Sequence, residues 1–61
     1  MTKQFIQKIL SLGSVDTRDY RYIVKECYNA NEQWREIYRL PIKDLDTTEA
    51  INGWEKVVEI R

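Results

Sequence analysis

Between Tyr20 and Ile42 the apolar positions obey two periods at once. At a period of two, Tyr20, Tyr22, Val24 and Tyr28 fall on one side of a strand. After the polar run Asn29-Ala30-Asn31-Glu32-Gln33, the residues Trp34, Tyr38, Leu40 and Ile42 fall on one side of a second strand. At the helical period, Tyr20, Ile23, Cys27, Ala30, Trp34 and Ile37 make a continuous stripe instead. That helix would hold Asn29 and Asn31 in its middle, where asparagine is a poor former, and would put Asn31 and Arg35 inside the apolar arc.

The strand reading is favoured, because Tyr, Ile, Val, Cys and Trp cluster in both halves. A loop over 29–33 pairs Tyr28 with Trp34, Val24 with Tyr38, Tyr22 with Leu40 and Tyr20 with Ile42, all on one face. Its cost is Glu26 opposite Glu36. A loop one residue shorter pairs Glu26 with Arg35 and Lys25 with Glu36, but scrambles the apolar face. In the first register Pro41 faces away from the apolar side, which suits an edge or a strand end.

The flanks follow simpler patterns. Over residues 2–12, Phe5, Ile9 and Leu12 form one row and Ile6 with Leu10 its neighbour. Lys3, Gln4, Gln7, Lys8 and Ser11 lie opposite, so the segment predicts an amphipathic helix closed by Gly13. Ser14 to Thr17 reads as a connector. Asp46-Thr47-Thr48-Glu49 has the form of a capping box, which starts a helix at Thr47. Stopping that helix at Asn52-Gly53 leaves a third strand from Trp54, with Lys56, Val58 and Ile60 alternating; a hairpin alone is barely stable. The chain therefore predicts one α+β domain over 1–61: an N-terminal amphipathic helix, a β-hairpin, a short helix and a third antiparallel strand. The alternative is an all-α three-helix bundle with a long central helix.

Composition removes most chemistry. There is one cysteine, Cys27, and no histidine, so neither an intramolecular disulfide nor a zinc site of cysteine and histidine ligands can form. Cys27 also lacks a histidine to activate it as a nucleophile, and reads as a small buried apolar residue. Gly13 and Gly53 stand alone, which excludes a glycine-rich phosphate loop. Asp44, Asp46 and Glu49 lack the glycine and spacing of a calcium loop and fit a helix cap better. No catalytic, cofactor or metal residue is expected. The stretch from Phe5 to Leu12 is too short and too interrupted for a signal peptide or a membrane span. With a lone cysteine, that points to a reducing, cytoplasmic setting.

Rings interleave with guanidinium groups at Tyr20-Arg21-Tyr22, Trp34-Arg35 and Tyr38-Arg39. The plain account is that most of these rings build the core. The functional account makes Tyr22, Trp34, Arg35, Tyr38 and Arg39 a partner-binding surface, since Tyr, Trp and Arg are enriched at protein–protein hot spots. The same residues can also stack bases and grip phosphates, with or without dimerisation to pool arginines. Ten basic and ten acidic side chains cancel, which removes the long-range pull that nucleic-acid binding needs. The expectation is a non-enzymatic adaptor or regulator that binds a protein, of the size common among accessory and mobile-element proteins. A small nucleic-acid binder is the alternative. At 61 residues the core is thin, and a homodimer is one way to enlarge it.

Overall fold

In a computed structural model describing residues 1–61, the elements are α1 (Lys3–Leu12), β1 (Ser14–Asp16), β2 (Tyr20–Tyr28), β3 (Gln33–Pro41), a 3-10 turn (Ile42–Asp44), α2 (Glu49–Asn52) and β4 (Glu55–Ile60). The strands form one antiparallel sheet in the order β1-β2-β3-β4, with β2 and β3 interior. The fold is α+β, and the three-helix alternative is excluded. Thr2 caps α1, its hydroxyl accepting from the Phe5 amide at 3.1 Å. At the other end Gly13 sits at φ 84°, and its amide donates to the Ile9 carbonyl at 2.7 Å. The chain then passes directly into β1.

That first strand is a correction to the expected connector. Val15 is its only apolar residue, too little to register as a strand pattern. Its backbone is nonetheless paired along β2, with Val15 opposite Tyr22. The turn between them is held by Thr17, whose amide donates to the Tyr20 carbonyl at 2.8 Å and whose hydroxyl accepts from the Tyr20 amide at 3.2 Å. Asp16 and Arg21 close it with a two-pronged ion pair at 2.8 and 3.0 Å.

The β2–β3 hairpin forms, but in the register of the shorter loop. Tyr28 pairs with Gln33, Glu26 with Arg35, Lys25 with Glu36, Val24 with Ile37 and Tyr20 with Pro41. The reason lies in the loop itself. The Asn29 side chain accepts from the amides of Asn31 and Glu32 at 2.8 and 3.0 Å, and its own amide donates to the Glu32 carbonyl at 2.9 Å. These bonds leave no room for Gln33 in the turn. A slip of one residue sends every β3 side chain to the opposite face. Tyr20, Tyr22 and Val24 therefore face α1 together with Ile37, whereas Trp34, Tyr38 and Leu40 occupy the other side. Pro41 shares the face of Tyr20 instead of pointing away from it, and Ile42 leaves the strand for the 3-10 turn. Tyr28, expected to pair with Trp34, is 79% exposed at the hairpin tip.

The core lies between α1 and this first face. Ile9 and Ile37 are fully buried and Tyr22 is 9% exposed, ringed by Phe5, Ile6, Leu10, Val15, Tyr20, Val24, Val57, Val58 and Ile60. Phe5 meets Tyr22 edge-to-face at a centroid distance of 5.1 Å. Leu12, expected in the apolar row, is 65% exposed at the last position of α1.

The C-terminal third departs from expectation in two places. The capping box does not form: the N-cap is Thr48, which makes no side-chain capping bond, and α2 begins at Glu49. Thr47 takes over, donating to the Asp44 carbonyl at 2.7 Å and accepting from the Glu49 amide at 3.2 Å. The third strand is present, with an irregularity in its pairing: Val58 opposes Ile37 but Lys56 opposes Tyr38. Val57 is the extra residue of a bulge. Consequently Lys56 does not share a face with Val58 and Ile60; Val57 and Val58 both pack on the core while Lys56 turns to the second face.

Candidate functional site

The register divides the expected partner-binding residues between two faces. Tyr22 is in the core, under Phe5. Arg39, opposite it on the same face, forms an ion pair with Glu55 at 2.8 Å and lies 4.4 Å over the Tyr20 ring. Contact with the Tyr22 side chain, then with Glu55, raises the pKa of that guanidinium further. Arg35 is on this face too, across from Glu26 at 3.5 Å. Trp34 and Tyr38 alone of the five lie on the second face.

That second face is built by alternate residues of β2 and β3, namely Arg21, Ile23, Lys25 and Cys27 against Trp34, Glu36, Tyr38 and Leu40. Only Glu36 and Leu40 of these are buried. No long helix covers them; the 42–54 connection passes at the Leu40 end and delivers Trp54, whose indole N–H donates to the Ala50 carbonyl at 2.8 Å. Trp54, Ile23, Val24, Lys25 and Tyr38 line a shallow cavity of about 320 Å³.

Glu36 is the centre of this face. It is 8% exposed. One carboxylate oxygen accepts from the Tyr38 hydroxyl at 2.6 Å; the other accepts from the Trp34 indole N–H at 2.9 Å and faces the Lys56 ammonium at 3.3 Å. The two ring donors lower its pKa from 4.5 to about 2 against the opposing pull of desolvation. The same contact raises the Tyr38 phenol above its ordinary value. A carboxyl this acidic is ionised at neutral pH and cannot serve there as a general acid. It clamps two rings at alternate positions of one strand. The sequence carried the signal, Trp34-x-Glu36-x-Tyr38, but in the expected register Glu36 registered only as an unfavourable neighbour of Glu26.

The remaining charges of this side cancel locally. Arg21 meets Asp16, and Lys56 meets Glu59 at 2.9 Å as well as Glu36. Arg61 lies 4.5 Å over Trp34 while bonding Glu32 at 2.6 Å and Glu59 at 2.7 Å. Lys25 is the exception: it has no carboxylate partner and rests 5.8 Å over the Tyr38 ring. Cys27, expected in the core, is half-buried on this face opposite Trp34. Desolvation, then the nearby Glu36 carboxylate, raises its thiol pKa and makes it a poor nucleophile.

No group of three or more His, Cys, Asp and Glu side chains is arranged to hold a metal ion. No helix is long and apolar enough to cross a membrane. No known protein family, curated protein or solved structure matches the chain.

Proposed function

We propose that this chain is a non-enzymatic protein-binding module, an adaptor or regulator, that docks its partner on the second face of the sheet. The observation that carries the reading is the Glu36 clamp, which holds Trp34 and Tyr38 in fixed orientations on a half-exposed surface. Rigid aromatic side chains with satisfied polar tips are what protein hot spots use. Trp54 extends the same surface. The lone thiol fits a reducing, cytoplasmic setting.

Nucleic acid is the weaker alternative. Every arginine except Arg18 already meets a carboxylate, so a phosphate would have to displace an internal ion pair at each one. The test is capture of a partner from a native lysate, followed by its identification and a direct binding measurement. Trp34→Ala and Tyr38→Ala should lose the partner, whereas Arg35→Ala, on the helix-covered face, should keep it. Equal affinity for all three variants would remove the second face from consideration. Binding of a single-stranded oligonucleotide with a steep salt slope would favour the alternative.

A further inference from the structure

We infer that the second face selects an acidic–apolar peptide segment, taking an apolar side chain between Tyr38 and Trp54 and a neighbouring carboxylate onto Lys25. This rests on the reading of that face as a docking surface and adds the chemistry of what docks. The cavity bounded by Ile23, Val24, Lys25, Tyr38 and Trp54 measures about 320 Å³, at the bottom of the roughly 300–1,000 Å³ range of small-molecule pockets. It is open and shallow, so it suits one inserted side chain rather than an enclosed cofactor. Its walls are two rings and two branched aliphatic residues, and they reward an apolar anchor.

Charge then narrows the choice. Lys56, Arg21 and Arg61 on this side are each committed to carboxylates of the chain itself. Lys25 stands directly across from Glu36 in the register, yet that carboxylate is occupied by Trp34, Tyr38 and Lys56. The Lys25 ammonium is left against the Tyr38 ring at the cavity wall. A partner carboxylate would supply the ion pair that the sheet does not. A partner cation would meet Lys25 with its own charge and find Glu36 already spoken for. The face therefore discriminates by sign as well as by apolarity.

The probe is a multivalent display library of random linear peptides selected on the intact folded chain. The expected result is enrichment of Asp or Glu within two positions of Leu, Ile, Met, Phe or Trp, by roughly two- to fivefold, the worth of one solvent-edge ion pair. Lys25→Gln should erase the acidic bias, and Lys25→Glu should reverse it toward Lys and Arg. Lys25 is exposed, so both variants should melt cooperatively, and Lys25→Gln avoids placing two carboxylates across the strands. Apolar enrichment that is indifferent to either Lys25 variant overturns the acidic partner while leaving the docking face standing. No enrichment above that on Tyr38→Ala overturns both.

Discussion

Replacing Ile37 with valine tests the register on which every functional statement depends. Ile37 is fully buried, opposite Val24 on one side and Val58 on the other, facing α1. In the register expected from the apolar pairs, the even residues of β3 would form the core face and Ile37 would point away from it. Removing one methylene from a closed site costs about 0.5–1.5 kcal/mol, and truncation to alanine about 2–5 kcal/mol. A domain of 61 residues has a total stability of roughly 3–9 kcal/mol. At the lower end of that range alanine would unfold much of the chain, so valine is the safer change. Each kcal/mol moves the melting temperature of so small a domain by about 4–8 °C. Urea titration followed by circular dichroism should give a lower midpoint with an unchanged slope, because the surface exposed on unfolding is nearly the same. Leu12→Ala provides the control: at 65% exposure it should stay within about 0.5 kcal/mol of the parent. An Ile37→Val loss below about 0.3 kcal/mol, no larger than that control, would refute the placement of Ile37 in the core.

Gly13→Ala should destabilise by about 1–2 kcal/mol in the same titration, since a φ of 84° penalises any Cβ while no atom lies within 4 Å to clash with one. Asn29→Ala removes the acceptor for two loop amides and should cost about 1 kcal/mol; an unchanged midpoint would show that the loop does not hold the register. Glu36 governs an acid transition. Its folded carboxyl titrates at about 2 against an ordinary 4.5, so its stabilisation is present above the unfolded value and disappears as pH falls toward about 2. Asp16 and Glu59, lowered mainly by Arg21 and by Arg61, lose their contributions in the same direction. Melting curves of Glu36→Gln should start lower at pH 7 and fall less steeply than the parent between pH 4.5 and 2.

Much of the architecture is legible in the residues because helix α1 and the β2–β3 hairpin each carry a strong period. Phe5, Ile6, Ile9 and Leu10 specify a helical stripe, and that stripe is what packs. Strand β1 is not legible, since a three-residue strand with one apolar side chain depends on its neighbour β2 for its existence. The hairpin register is the instructive case. Counting apolar pairs favours the longer loop, because it gathers Trp34, Tyr38 and Leu40 with the tyrosines of β2. The side chain of Asn29 outweighs that count locally, and the sheet accepts it because β3 still has Ile37 to offer α1. Among the candidate site residues, Trp34 and Tyr38 come together, whereas Tyr22, Arg35 and Arg39 go to the other side with the same slip. The bulge at Val57 has no sequence mark; it follows from packing both Val57 and Val58 on the core while Lys56 reaches Glu36.

The position of Glu36 links the fold to what the second face can do. An interior strand covered on both sides would carry apolar residues on both. Strand β3 instead places a carboxylate midway along its second side, where water still reaches the flanking rings. An indole N–H and a phenol O–H are liabilities once a partner excludes water, since each left unpaired costs about 1–3 kcal/mol. Here both already donate to Glu36, within the chain, before any partner arrives. The docking partner we propose need not supply acceptors for them and can offer apolar surface alone. Holding the rings in advance also spares about 0.5–1.5 kcal/mol of side-chain ordering for each on association. The ion pairs that surround the clamp neutralise Lys56 and Arg61, and so the charge that β2 and β3 leave for a partner to answer on this face is Lys25. A surface with satisfied polar tips, fixed rings and one unanswered ammonium is suited to recognition, and the same contacts keep its carboxyl ionised at neutral pH and raise the pKa of its thiol.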